Sequence, residues 1–426
     1  MKENRILTIL MGALLLGFAW QIRGSGTSDP SVVALLFLLF LSIHYGPRKK
    51  FNILVFGLIA FLFVLMRTGW GTFVPQAGIP GVVPGYLPPN VDIAVPWWRG
   101  YFWLFIVGIS WFGIPSLLFG GYFFTKHKYT LKDVFLIVIL FVATRFVAGF
   151  IAEFLIPYLA PEYYDEIYLT GISDRSYGSM RGNMSTAMAI IPVLLYIRCA
   201  KKDKEFFKNA LSAMVIFAFS LSIADVWRPL SSLTELIGGS VAWGLWEYFT
   251  GFIFGGLIFW FYGRFSDNEL AETDIPTGLE VSDWKPFGKF VLYCAALYVL
   301  FFHGIAESLE GGIRKAFLAA GVDYSPDVPT VKLIVTAIGV FFYWLYSQRK
   351  IGRTFAQKSF REKSLIVLIV MLPLYYLNFA LHHIISGSLF LPDWNSSEVW
   401  LDSISFVIVE IYGIYLFRRY RKSLVV

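Results

Sequence analysis

Ionisable side chains inside apolar stretches are the residues of this sequence whose types and spacing could do chemistry. Arg145 and Glu153 stand eight residues apart in one apolar run, on roughly the same face of a helix but too far apart to pair along it. We therefore expect each of them to find a partner on another helix. A charged side chain at membrane depth costs roughly 2.5–3.5 kcal/mol and must face protein or water, so such residues are candidates for a binding site.

Other ionisable residues lie inside apolar runs or at their ends. Asp225 and Arg228 could pair locally at i, i+3, whereas Glu247 has no Lys or Arg within one turn and needs a partner elsewhere. His303 and Glu307 are four residues apart and share a helical face. The predicted substrate-binding set is Arg23, Arg181, Arg145, Arg228, Asp225, Glu247, His303 and Glu307. The alternative is a lattice of ion pairs that only holds the helices together.

The Arg residues of this set indicate an anionic ligand. Guanidinium is a planar donor that suits carboxylate and phosphate, and the loops on one predicted side of the membrane contain Arg with almost no Lys. Arg23 and Arg181 each precede a Gly and a short apolar run, so they could be equivalent positions facing one anion. The alternative is that each Arg pairs with a loop acid or a lipid headgroup.

The sequence predicts neither a metal site nor a cofactor. His303 and Glu307 have the spacing of helical metal ligands, but the neighbouring His382 and His383 would point apart on a helix. There is no Gly-x-Ser-x-Gly motif and no Walker loop in the sequence. Chemistry that depends on these motifs is therefore not expected.

Composition sets the class of protein. The 426 residues are 57% hydrophobic, 19% aromatic and only 15% charged, whereas a soluble domain is usually about 25% charged. These values exclude a soluble enzyme, a disordered protein and a nucleic-acid binder. The net charge of +7 is typical of basic cytoplasmic loops in a membrane protein. Cys199 and Cys294 both fall in apolar stretches, where we expect buried free thiols.

Apolar runs of the length of a spanning helix occur about twelve times in the sequence. We predict an all-α, polytopic membrane helix bundle that forms one transmembrane domain over residues 1–426, with the lipid bilayer as its surroundings. The predicted spans are about 5–22, 31–45, 51–68, 100–124, 131–156, 184–199, 207–224, 238–262, 286–306, 330–347, 364–385 and 403–418.

The placement of Lys and Arg predicts the orientation. With twelve spans, the clusters of Lys and Arg around 48–50, 126–132, 201–208, 349–363 and 418–422 all fall on one side. Basic loops favour the cytoplasmic side. We therefore predict a protein of the cell inner membrane with both termini in the cytoplasm.

An internal repeat is a further prediction. Trp111 is followed at offset nine by Gly120-Gly121, and Trp246 is followed at the same offset by Gly255-Gly256. This match suggests four-helix repeats over about 1–126 and 131–264. Residues 285–426 would form a third unit with a similar spacing of loops. Substrates of transporters often bind where repeats meet.

Twelve spans, cytoplasmic termini and the loop Gly46-Pro47-Arg48-Lys49-Lys50 resemble the major facilitator transporters. The chain departs from that pattern because its long cytoplasmic loop follows span eight and the acidic residue of the family's loop motif is absent. We assign no family and carry over no functional residue.

Two classes of function fit these observations. The first is a secondary transporter of an anionic small molecule, in which Glu247, Glu307 or Glu153 carries a coupling proton. The second is an integral-membrane transferase that acts on a lipid-linked phosphate or glycan at the outer leaflet, with Asp225, Glu247 or Glu307 as general base. Whether the chain is an enzyme stays open at this point, as does its oligomeric state.

Overall fold

The computed structural model describes eight main stretches of the chain. These are residues 4–24, 30–45, 97–117, 131–159, 174–227, 239–263, 360–387 and 397–423, together with isolated residues at 127, 129, 230, 317, 318, 320–322, 330, 334, 337, 338, 341 and 358.

The main stretches contain nine α-helices, which agrees with the predicted all-α class. They are α1 (Arg5–Gly24), α2 (Pro30–Tyr45), α3 (Trp97–Ser116), α4 (Leu131–Leu159), α5 (Asp174–Leu195), α6 (Lys204–Ile223), α7 (Gly239–Tyr262), α8 (Phe360–Gly387) and α9 (Ser397–Ser423). A π-helical turn, Tyr196–Ala200, follows α5, and a 3₁₀ turn, Ala224–Val226, follows α6.

Six of the described helical segments are long and apolar enough to cross a membrane, and two shorter apolar segments lie in α2 and α3. The protein is therefore a multi-pass membrane protein. Nine of the predicted spans coincide with described helices. The spans predicted at 51–68 and 286–306 lie outside the described residues, and only single residues of 330–347 are described, so the number twelve stays a prediction.

The chain divides into two compact units. The first comprises Met1–Val64, Gly251–Asp274 and Glu280–Val426, and the second comprises Leu65–Thr250 and Ile275–Leu279. The boundary falls within α7, so the two parts of this helix belong to different units. These unit boundaries differ from those of the predicted repeats, and the repeats and the single transmembrane domain stay predictions.

Close helix packing at glycines builds the core of the first unit. A Cβ atom on Gly251 of α7 would overlap the Leu16 carbonyl oxygen of α1, and one on Gly255 would overlap that of Gly12. Small residues four apart allow two helix backbones to approach in this way. The Phe259 ring of α7 in turn lies against Gly12 of α1. Glycines on both helices therefore allow the close contact between α1 and α7.

The second unit packs α3, α4, α5 and α6 around a separate apolar core. Gly108 of α3 lies against Ala218 of α6, and the rings of Phe112 and Phe217 stack with their centroids 4.8 Å apart. Ile190 and Met214 belong to the buried cluster that α4, α5 and α6 share. This core places α4 beside α5 along much of their length.

Candidate functional site

Two helices of the second unit, α4 and α5, bring three of the sequence-predicted charged residues together. α4 has 29 residues, which corresponds to about 43 Å and exceeds the roughly 30 Å hydrocarbon core of a bilayer. Because Gly149 contacts Arg181 while Asp133 contacts Lys201, just beyond α5, the two helices are antiparallel. We call the residues Arg145, Gly149, Glu153, Arg181 and Thr186 the α4–α5 seam.

Arg181 joins α5 to α4 through two contacts. Its Nη2 lies 3.2 Å from Oε2 of Glu153, and its Nε donates to the Gly149 carbonyl oxygen at 3.3 Å. The side chains of Arg181 and Glu153 are 40% and 48% exposed, so this ion pair lies at the surface of the unit. Glu153 thus has the partner on another helix that the sequence analysis predicted.

Arg145 also has its contact on α5. Its Nε donates to Oγ1 of Thr186 at 3.1 Å, and Thr186 is fully buried while Arg145 is exposed. Among the described residues, no hydrogen-bond acceptor contacts the two terminal nitrogens of Arg145. The expectation of a cross-helix partner is confirmed for Arg145, but that partner is a neutral hydroxyl, so it does not balance the positive charge.

The position of Arg145 along α4 is deep within the span. It lies about 18 Å from Asp133 and about 12 Å from Glu153 along the helix axis, at 1.5 Å per residue. Most apolar side chains near it on α4 are exposed, among them Val142, Phe146 and Phe150. The seam therefore combines Arg145 and Glu153 of the largely apolar, exposed α4 with the guanidinium group of Arg181 on α5.

Asp225 and Glu247 are buried elsewhere in the second unit. Asp225 is fully buried in the 3₁₀ turn after α6, and Glu247 is 2% exposed in α7. Trp246, beside Glu247 in the chain, donates from Nε1 to the Leu221 carbonyl oxygen at 3.1 Å. Both acids therefore lie in the interior of the second unit, near the contact between α6 and α7.

Arg23 belongs to the first unit and lies in the last turn of α1. Its Nε donates to the Trp20 carbonyl oxygen at 3.4 Å, and its guanidinium carbon lies 4.3 Å from the centre of the Trp20 ring. These contacts are those of a basic residue at a helix C-terminus. Arg181, by contrast, lies inside α5, so the local structures of the two Arg differ.

Three residues of the predicted set, Arg228, His303 and Glu307, lie outside the described residues. Where the structure describes the chain, no three His, Cys, Asp or Glu side chains cluster as metal ligands would. Cys199 is a free and exposed thiol in the π-helical turn, so the prediction that it is buried was wrong. The turn ends at Ala200, where the chain leaves the apolar α5 for the basic loop.

A polar cluster that sequence reasoning missed lies near the other end of the α4–α5 pair. Lys201 contacts Asp133 at 2.9 Å, and the Tyr129 hydroxyl donates to Asp203 at 3.2 Å. Asp203 also accepts from the Phe206 backbone N–H, as an N-cap of α6 does. Burial and, next, the negative charge of Asp203 raise the pKa of Tyr129 above its ordinary value.

A pattern in the sequence indicates one part of this polar cluster. Asp203 stands directly before the helix that begins at Lys204, which is a typical N-cap pattern. The contact between Asp133 and Lys201 joins the beginning of α4 to the loop before α6. Two Lys-rich loops that the sequence analysis placed on one side of the membrane therefore lie at the same end of these helices.

Comparisons with known proteins identify no relative. No family model matches the sequence, and neither the curated proteins nor the solved structures include a significant match.

Proposed function

We propose that the protein is a secondary transporter of an anionic solute that binds at the α4–α5 seam. The observation that carries the proposal is the excess positive charge there: Arg145 and Arg181 bring two guanidinium groups to the seam, and its one carboxylate, Glu153, is paired with Arg181. A cation without a counter-charge within a membrane span costs free energy, and such residues commonly mark functional sites. An anionic ligand that accepts from the terminal nitrogens of Arg145 would balance this charge.

In this proposal Arg145 binds the anion, and Arg181 binds it as well only when Glu153 is protonated. Glu153 holds Arg181 while it is ionised, because the two side chains are 3.2 Å apart. A proton on Glu153 removes that negative charge and frees the Arg181 guanidinium for the solute. Proton and anion would then bind together, which is the requirement for a symporter.

The test begins with thermal unfolding of the purified full chain. Inorganic phosphate, glucose 1-phosphate and UMP serve as soluble anionic probes, and the probe that raises the melting temperature most is then followed by uptake into proteoliposomes. R145Q should abolish both the shift and the uptake. The matched control is K132Q, which removes an exposed cation from the same helix outside the seam.

Two outcomes would refute the transporter. One is that none of the three probes shifts the melting temperature of the unmodified chain. The other is that R145Q and K132Q lose uptake to the same extent, because the effect would then reflect net charge and not the seam. For the coupling step, E153Q should make uptake independent of an imposed pH gradient, whereas retained dependence would exclude Glu153.

The exposure of the seam favours a second candidate, a transferase acting on a lipid-linked phosphate. Arg181 is 40% exposed and Arg145 is exposed among apolar side chains of α4, so a phosphate could approach from the lipid. In that case short-chain phosphatidic acid, and none of the soluble probes, should raise the melting temperature. R145Q should reduce that shift and K132Q should not, and an R145Q shift equal to that of the unmodified chain would exclude this candidate.

A further inference from the structure

A groove lies between the first turns of α8 and the last turns of α9 in the first unit. It has a volume of about 1010 Å³. Its apolar part is formed by Ile366, Ile369 and Val370 of α8 and by Ile414 and Phe417 of α9, and its basic part by Arg418, Arg421 and Lys422. We call it the α8–α9 groove.

The lining follows the helical repeat on both sides. On α9 the spacing from Ile414 through Phe417, Arg418 and Arg421 to Lys422 is three, four, seven and eight residues, which places them on one face. The apolar residue Ile414 and the basic residue Arg421 are seven positions apart, or about 10 Å. The groove thus changes from apolar to cationic along the helix axis over two turns.

Among the described residues that line the groove, none is a carboxylate. The acid in the first turn of α8, Glu362, is engaged by Lys358 at 2.6 Å. Arg361 adds a further cation near this end, with its guanidinium 5.8 Å from the centre of the Tyr420 ring. Three adjacent cations therefore face outward where the long apolar helix α9 ends.

We propose that the α8–α9 groove binds an anionic phospholipid. The headgroup phosphate would accept from Arg418, Arg421 and Lys422, and an acyl chain would lie along Ile366, Ile369 and Ile414. Basic pockets between helices at the membrane surface bind anionic headgroups in this manner. The apolar part offers nothing to a free phosphate ion, and a second copy of the chain would bring the same three cations against each other.

This inference does not depend on the proposed transport activity, because the groove lies in the first unit and the α4–α5 seam in the second. Each site can fail its own test without affecting the other. The predicted orientation places the basic end of the groove in the cytoplasmic leaflet. Anionic lipids are concentrated there in many membranes.

The experiment is native mass spectrometry of the full chain, purified and then incubated with lipid. Dioleoylphosphatidylglycerol is the anionic probe, and dioleoylphosphatidylcholine, with the same acyl chains, is the neutral one. The unmodified chain should retain one phosphatidylglycerol in preference to phosphatidylcholine. Each cation near an anionic lipid strengthens binding roughly fivefold. R421Q should therefore weaken retention of phosphatidylglycerol about fivefold, and R418Q/R421Q/K422Q about a hundredfold.

Two variants separate the groove from general effects of charge. K132Q/K204Q/K208Q removes three exposed cations outside the groove and should retain phosphatidylglycerol as the unmodified chain does. I414W keeps every charge but fills the apolar part, and it should lower retention several-fold. Size-exclusion chromatography shows which variants fold. If R418Q/R421Q/K422Q does not fold, R421Q alone provides the test.

The proposal is overturned if the groove triple variant retains as much phosphatidylglycerol as the unmodified chain, or if the control triple variant loses as much. Equal retention of the two lipids also overturns it, as does an I414W variant with unchanged retention. Soluble glycerol phosphate at millimolar concentration should not displace the lipid. Displacement would mean that the site recognises a free phosphate.

Discussion

Arg181 and Glu153 form an ion pair, 3.2 Å between Nη2 and Oε2, that links two antiparallel helices near one end of a membrane span. Twenty residues earlier on α4, Asp133 pairs with Lys201 at 2.9 Å. Twenty residues of helix extend about 30 Å, which is the thickness of the hydrocarbon core. The two ion pairs are therefore separated by about the thickness of the hydrocarbon core, and Arg145 lies between them along α4.

A double-mutant cycle should measure the Arg181–Glu153 pair. Because both side chains are nearly half exposed, we expect a coupling free energy of about 0.2–1 kcal/mol from the unfolding of R181Q, E153Q and R181Q/E153Q. The swapped chain R181E/E153R should recover most of the loss. The control cycle uses R145Q and E153Q, whose residues do not contact each other, and should be additive; equal coupling in both cycles would contradict the pair.

Thr186 should contribute to stability through Arg145. T186V removes the hydroxyl that accepts from the Arg145 guanidinium, and a hydrogen bond to a charged group is worth about 1.5–3 kcal/mol. The control is T250V, since Thr250 is equally buried but donates only to the Trp246 carbonyl oxygen of its own helix. We expect T186V to lower the free energy of unfolding more than T250V. Equal losses would show that burial, and not Arg145, sets the effect.

Gly251 should not tolerate a side chain. G251A places a methyl group against the Leu16 carbonyl oxygen, and overpacking of this kind typically costs about 1–3 kcal/mol. G256A is the matched control on the same helix, because its Cβ would meet only the Ala13 Cβ at an ordinary 3.7 Å. The melting temperature should fall for G251A and stay or rise for G256A. A fall of equal size in both would contradict the close approach of α1 and α7.

Tyr129 should make stability sensitive to alkaline pH. Its pKa is higher in the folded chain than the ordinary value of about 10, so the unfolded chain loses this proton first as pH rises. The stabilisation is therefore fully present below about pH 10 and is lost as pH rises towards the folded-state pKa. Y129F should remove this part of the alkaline loss while costing about 1 kcal/mol at neutral pH.

The measurement for Tyr129 is the melting temperature between pH 8 and pH 11. Y158F is the control, because Tyr158 is 72% exposed at the far end of α4 and should keep the alkaline loss of the unmodified chain. A Y129F chain with the same pH dependence as the unmodified chain would remove Tyr129 as its source.

Cys199 provides a direct test of the predicted orientation. It is exposed in the π-helical turn beside the basic loop that the sequence analysis placed in the cytoplasm. In a C294S chain, a membrane-impermeant maleimide should label Cys199 in inside-out vesicles but not in right-side-out vesicles. C199S/C294S controls for background, and labelling only in right-side-out vesicles would reverse the orientation.

The sequence by itself determined the membrane class and most helix positions, because a span needs about 20 apolar residues whatever it packs against. It also singled out Arg145 and Glu153, whose charge conflicts with their apolar surroundings. Only the tertiary structure decided their partners, since Thr186 and Arg181 are 41 and 28 residues away and reach them through the antiparallel packing of α4 and α5. The exposure of Cys199 and the α8–α9 groove likewise arise from which helix faces meet, and that depends on packing between segments that local apolar patterns do not encode.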